Sequence, residues 1–530
     1  LRQKYGVNAT VIDLNGYRIP DEEARRRGLE NGRYFNDAEA RQLIEKHFRV
    51  HGEPHLVAFS GMITTLDWQQ RVARMVRSIV PDVFLVTGGG LANELKPTPL
   101  NPKGLFDPLF LPEIDALAHS DGDDVILKIT RDAKLIRKRG WRNALQSGEL
   151  SPYVYGEIGG RTRLRYCGSR PRNLDAYPWA DLSLLTEDVN GYPVLENYLK
   201  VPIWGDLRTA NSSRTPFTMN RSANSVSSYG CRYFCEYCLR GMSGETLWRV
   251  RSPRHLANQL REYIEKYGID FMGYLDDNQA IDPQRERDMV PFFKEFVEMG
   301  IRWGTHTRLD EAAGLVPKPG SGGKEYVFEH PLRLQHMAQS GCVYIGAGPE
   351  SAHPGTIKIL GKGGFTLPAG FTKVSVGGED ELFAKAMVEG IRHMAIFGIH
   401  CNCTWIKGSP EETLERLKKT VRFIRWMKEF YPEHGIPSSA VNEAMFTLQW
   451  YPGTKIIRRP VIRERLSDVF GIPFVKTKSH PTNPEWEEYE PVFGVNFRDY
   501  VLQLNDAVKV LRDPKTGRLL NFSKMTDDEF

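Results

Sequence analysis

Residues 230–241 read GCRYFCEYCLRG and place Cys231, Cys235 and Cys238 in a CxxxCxxC spacing. Thiolates are the ligands that hold iron–sulfur clusters, and a 4Fe–4S cubane takes four of them. Three cysteines on one short loop leave one iron open to a ligand from outside the chain. Zinc competes for the same residues, but structural zinc is closed by four ligands. No second CxxC or CxxH stands elsewhere to complete such a site. Cys401 and Cys403, two apart, share one face of an expected strand.

The rest of the composition sets the frame. Seven cysteines, an odd number scattered over 530 residues, argue against a disulfide framework and for a reducing, cytoplasmic compartment. The length suits two or three domains. A formal charge of +5 gives no support to nucleic-acid binding, which would want a dense basic face. No run of eighteen apolar residues is present, so no membrane span is expected. The chain opens at Leu1 rather than Met, and the reading expects sequence ahead of it.

C-terminal to the motif, strand and helix patterns alternate. Ser252 and Pro253 form an N-cap and first-turn pair, Leu256, Leu260 and Ile264 form an apolar stripe, and Gly268 stops the helix. FMGYLDD, IRWGTHTRLD, VYIGAGPES, HCNCTWIKG and AMFTLQWYPGT then read as successive strands. With an opening strand near PFTMN (216–220), they predict a partial (β/α)6 barrel over 216–455. Loops at 314–326 and 361–380 follow strand ends and read either as a substrate lid or as surface insertions.

N-terminal to the motif, NATVIDLN, HLVAFSG, DVFLVTGGG and EIDALAHSDGDD are short apolar runs ending in turn residues, with helical spacing at Val72, Met75, Val76 and Ile79. This alternation predicts a Rossmann-like, doubly wound α/β domain over 1–150, binding its ligand beyond the strand ends. Residues 151–215 read as an interdomain connection. Residues 456–530 read as a small α+β region, aromatic-rich, that either shapes a substrate site or packs on the barrel.

Together these segments resemble the radical S-adenosylmethionine (SAM) enzymes. SSYGCRYFCEYC is followed by LWRVRSP, YLDDNQAID, THTRLD, GAGPES, IKGSPEET and LQWYPGT, in the order of that family's barrel strands. The resemblance implies a cluster on Cys231, Cys235 and Cys238, with Tyr237 near the SAM adenine. It places Asp276, Asp277 and Asn278 at the SAM amino group, Arg308, Glu350 and Ser351 at its ribose and carboxylate, and Gly408 and Pro410 beside the adenine. For Arg308 and Glu350 a structural ion pair within the barrel is the other reading.

The first domain resembles the cobalamin-binding domain of the cobalamin-dependent subclass. That likeness assigns Ser60, Gly61, Thr64 and Thr65, then Gly88, Gly89 and Gly90, then Ser120, Asp121 and Gly122 to the corrin or its nucleotide tail. A DxHxxG motif is absent, and His51 and His55 precede a strand, so packing suits them better than cobalt ligation. A Rossmann-like domain with another ligand is the alternative.

The implied activity is cleavage of SAM, hydrogen abstraction by a 5′-deoxyadenosyl radical, and methyl transfer from methylcobalamin to an unactivated carbon. A cyclase or rearrangement enzyme of the same subclass is the alternative. From another class, the alternative is a non-catalytic cobalamin-binding or electron-transfer protein. The implied partners are a small-molecule or peptide substrate and an external donor such as flavodoxin or ferredoxin. Tyr274, Cys342, Cys401 and Cys403 lie on expected strands, where packing is the favoured role.

Overall fold

The computed structural model describes residues 6–15, 35–150, 152–200, 220–239, 247–279, 282–322, 325–329, 333–441, 445–479, 487–504 and 511–530. The first sheet contains β1 (Leu56–Ser60), β2 (Phe84–Gly88), β3 (Ala116–His119), β4 (Tyr153–Ile158) and β5 (Arg161–Cys167), in the order β1-β2-β3-β5-β4. All pairings are parallel except β4 with β5. Residues 8–15, read as an apolar run, form no strand.

Side-chain alternation along these strands feeds two cores. Leu85 and Leu117 pack with Ala73 and Val76 of α2 (Leu66–Ile79), which follows α1 (Asp37–His51). Phe84, Val86, Ala116 and Leu164 face the other way, onto Val125 and Ile129 of α4 (Gly122–Arg139). The short helix α3 (Gly90–Glu94) follows β2 and packs against β3 and the turn Ile63–Thr65.

The connection drawn from residue 151 is corrected here, because β4 and β5 complete the first sheet as far as Cys167. Arginines disguise β5. Arg163 is only 2% exposed, yet its guanidinium donates to the carbonyl oxygens of Ile114, Pro112 and Ile158 and lies 3.6 Å from Asp115.

The second sheet contains β6 (Ser222–Ser225), β7 (Phe271–Tyr274), β8 (Arg302–Thr307), β9 (Cys342–Glu350), β10 (His400–Lys407) and β11 (Met445–Thr447). They lie in chain order and every pair is parallel, an open half-barrel of six strands. Its first described strand starts at Ser222, whereas 216–219 of the expected PFTMN strand lie outside the described residues.

The helix α5 (Pro253–Tyr267) begins as the sequence indicates. Ser252 Oγ accepts from His255 N, Pro253 occupies the first turn, and Gly268 ends the helix at φ 62°. Tyr274, Cys342, Cys401 and Cys403 belong to the apolar layer between the strands and their helices. This supports packing for all four. The loops at 314–326 and 361–380 each carry part of a hairpin, Leu315–Pro317 with Tyr326–Phe328 and Phe371–Val376 with Glu379–Ala384.

The C-terminal region packs onto the first domain as well as onto the barrel. Trp450, Ile456, Leu466, Phe497 and Tyr500 share one core with Leu85, Phe110 and Leu117. The Phe110 ring stands edge-on to Phe493 at 5.9 Å and to Phe497 at 6.3 Å. Asn101 donates to the Pro491 carbonyl oxygen at 3.0 Å and accepts from Phe493 N at 2.7 Å.

Candidate functional site

The cysteine motif lies in the loop after β6, and residues between its cysteines are tied to several other elements. Arg232 and Tyr233 both donate to Glu311, at 3.1 Å from Arg232 Nε and 2.7 Å from Tyr233 Oη. Glu236 N donates to Leu360 O at 3.0 Å, Ile456 N donates to Glu236 O at 3.0 Å, and the Glu236 carboxylate pairs with Arg459 at 2.8 Å. Tyr237 Oη donates to Glu350 Oε1 at 2.8 Å. A loop fixed at so many points presents its thiols from one preset geometry.

Cys231, Cys235 and Cys238 are half-buried. Burial pushes the Cys231 thiol up to about 11, reinforced by Cys238 and Cys235, so the thiols lie within electrostatic reach of one another. Arg308 Nη1 donates to Cys235 Sγ at 3.7 Å, and its guanidinium lies 4.1 Å over the Tyr233 ring. A single zinc ion would need its sulfurs about 2.3 Å from one point. Among the described residues no three His, Cys, Asp or Glu side chains gather that tightly. A cubane takes each thiolate on its own corner iron.

The barrel residues assigned to SAM fall into two groups. Glu350 adopts φ 62°, an uncommon conformation for a residue with a side chain, and its carboxylate lies 3.1 Å from Lys362 Nζ. Asn278 donates to Glu311 Oε2 at 3.1 Å, while its Oδ1 is buried without a hydrogen-bond partner. Glu350 meets Tyr237 of the loop, Arg308 meets Cys235, and Asp277 is half-buried. Asp276 accepts from Ser227 N at 2.7 Å and Ser228 N at 3.0 Å, which pins the strand leading into the motif. Ser351 Oγ instead meets Thr420 Oγ1 at 3.1 Å, on the helix side.

At the β10 end, Gly408 has φ 85° and donates to Glu412 Oε2 at 2.6 Å, with Pro410 buried beside it. A Cβ on Gly408 would stand 2.8 Å from the Phe530 ring, a neighbour no local pattern announces.

The first sheet brings its three expected loops to one end. Gly61 N donates to Gly88 O at 3.1 Å, and Leu91 N donates to Gly61 O at 3.1 Å. A Cβ on Gly89 would lie 2.6 Å from Gly61 O, so these glycines serve the contact of one loop with the next. Gly90 lies under Glu94, and Gly122 faces open space. Thr65 Oγ1 is held by Met62 and Gln69, Thr64 is half-buried and Ser60 is exposed. Ser120, at φ 69°, accepts from Arg170 Nε at 2.8 Å.

Asp121 is ion-paired to Arg249, which lies opposite Tyr229 just ahead of the cysteine motif. Glu94 stands close enough to Tyr451, beyond β11, to raise its pKa further after burial has done so. The strand ends of the two sheets therefore face each other. Sequence reasoning gave no role to Glu94, His119, Arg249 or Tyr451. The last three stand inside EIDALAHSDGDD, LWRVRSP and LQWYPGT, which read as whole elements rather than residue by residue.

No family model matches the chain. It is 22% identical over 410 residues to an uncharacterized methyltransferase of Pyrococcus horikoshii, covering 76% of this chain and 69% of that protein. Over 225 residues it is 22% identical to the anaerobic magnesium-protoporphyrin IX monomethyl ester cyclase of Cereibacter sphaeroides, covering 42% of this chain and 31% of the cyclase. Among solved structures, the radical SAM methyltransferase TsrM of Kitasatospora setae, with cobalamin and an iron–sulfur cluster bound, superposes with a TM-score of 0.51. That match has 13% identity and covers 96% of this chain and 84% of TsrM. The cobalamin-dependent SAM radical enzyme OxsB gives 0.54 at 14% identity, covering 91% of this chain and 62% of OxsB. The chain has the fold of these cobalamin-dependent radical SAM enzymes.

Proposed function

We propose that the chain is a cobalamin-dependent radical SAM methyltransferase acting on an unactivated carbon of a small-molecule or peptide substrate. The observation that carries the reading is the juxtaposition at Asp121 and Arg249. It sets the strand-end loops of a Rossmann-like sheet against the barrel loop that bears three cysteines. A substrate lying between them would meet both.

In this reading Cys231, Cys235 and Cys238 hold a 4Fe–4S cluster and leave one iron for SAM. With the Cys231 thiol pushed up to about 11, cluster assembly has to displace its proton. Arg308, donating to Cys235 Sγ, stabilises thiolate charge on the loop. The orphaned Asn278 Oδ1 is a hydrogen-bond acceptor suited to the SAM ammonium. The Tyr237–Glu350–Lys362 chain keeps the carboxylate compensated. Residues 60–65, 88–90 and 120–122 would hold cobalamin. When bound, these cofactors supply one-electron cleavage of a sulfonium and a methyl group on cobalt, and the chain supplies positioning and a dry cavity. An external one-electron donor is required. No helix among the described residues is long and apolar enough to cross a membrane.

The test is anaerobic reconstitution followed by iron, sulfide and cobalt analysis, then reductant and methyl-deuterated SAM. About four irons per chain, bound cobalt, 5′-deoxyadenosine and a labelled methylated product are expected. Deoxyadenosine without cobalt, even with cobalamin supplied, would remove the methylcobalamin part. Product lacking the label would favour the cyclase alternative, the activity named for the Cereibacter relative.

A further inference from the structure

We infer that His119 and Glu94 form a matched acceptor and donor for a carboxamide on the rim of the corrinoid ring. The inference rests on the cobalamin reading above and names two residues that no motif assigns. His119 ends β3 and is 5% exposed. Its Nδ1 lies 2.9 Å from Asn93 Oδ1. An amide oxygen only accepts, so Nδ1 carries the hydrogen and Nε2 keeps a lone pair. That Nε2 is buried with no hydrogen-bond partner. Burial, with Arg165 and Lys96 nearby, pushes the imidazole down to about 4, which keeps the lone pair free at neutral pH.

Glu94 follows Asn93 on the same helix. Its Oε2 is also buried without a partner, and Oε1 lies 3.1 Å from where a Cβ of Gly90 would stand. The carboxyl therefore folds back over the loop that leaves β2. Burial pushes it up to about 8, so at neutral pH it carries a proton and offers an O–H. Helix α3 packs against both β3 and the turn Ile63–Thr65, which places both groups among the strand-end loops expected to meet the corrin.

Each orphaned polar atom is destabilising when left unsatisfied. One atom accepts and the other donates. A carboxamide answers both with one planar group, its N–H to Nε2 and its carbonyl to the carboxyl O–H. The rim of cobalamin carries several such groups.

The test titrates the full chain with hydroxocobalamin, followed by absorbance, alongside melting of the cobalamin-free protein. For His119→Phe and Glu94→Leu we expect cobalamin binding weakened 5- to 30-fold while the cobalamin-free melting temperature holds or rises. Glu94→Gln, which keeps an N–H donor, is expected to bind within about threefold of the native chain. Tight binding by the apolar variants would overturn the inference, as would parallel loss of binding and stability in all three variants. A native chain that takes up no cobalamin would overturn the reading of the whole domain, and this inference with it.

Discussion

Asp121 and Arg249 form a buried ion pair, with side chains 7% and 4% exposed, across the boundary between the two sheets. Asp121 stands at the head of α4, where a carboxylate also suits the helix dipole. Arg249 in addition donates to the Pro171 carbonyl oxygen at 3.1 Å. Losing one partner strands the other charge in a dry place, at a cost of about 3–5 kcal/mol. Asp121→Ala is therefore expected to lower stability by roughly that amount. The double variant Asp121→Leu/Arg249→Met should recover much of it, because an apolar pair replaces the ionic one. Denaturant melts of the native chain, Asp121→Leu, Arg249→Met and the double variant make the cycle, and an additive result would show that the two residues do not couple.

The cysteine assignment separates cleanly from the other thiols. Single changes Cys231→Ala, Cys235→Ala and Cys238→Ala should each leave reconstituted protein with well under half the native iron and no deoxyadenosine. Cys401→Ser and Cys403→Ser alter sulfurs 3.3 Å apart inside the sheet–helix layer. They should keep the iron and lose stability instead. Iron retained in any of the first three variants would remove that cysteine from the ligand set.

Gly361 holds the motif from outside. It has φ 75°, and a Cβ there would lie 2.9 Å from Glu236 N and 3.3 Å from Phe234 O. Gly361→Ala is expected to cost roughly 1–3 kcal/mol in backbone strain and displacement. It should also lower iron occupancy after reconstitution without touching a ligand. Unchanged iron and melting temperature would mean that the loop gives way freely.

How much of this was legible in the sequence depends on range. The cysteine spacing, the capped helix after Ser252 and the βα rhythm of the barrel are local, and local patterns suffice for a parallel sheet whose strands lie in chain order. β5 was hidden because Arg161, Arg163 and Arg165 look solvated. In the fold, Asp115 and backbone carbonyls satisfy Arg161 and Arg163 from elements some fifty residues away. The tail's aromatic residues announced burial but not a partner, and Phe110 proved to be theirs. Glu94 and His119 carry no pattern at all, since an orphaned atom exists only once its surroundings are packed.

Glu94 also gives the protein a pH signature in the absence of cobalamin. Burial raises its carboxyl from 4.5 to about 8, and its titratable neighbour is Tyr451. The unfolded chain releases this proton near pH 4.5, whereas the native chain holds it to about 8. Between those values the native state binds more protons than the unfolded one, so stability falls as pH rises. The slope reaches at most about 1.4 kcal/mol per pH unit, and the loss is complete once both states are ionised. Glu94→Gln removes the titration and should flatten that part of the profile, so its advantage over the native chain grows from pH 5 to pH 8. Urea melts at several pH values read this directly. Parallel profiles for the two proteins would mean that Glu94 is already ionised and solvated in the folded chain.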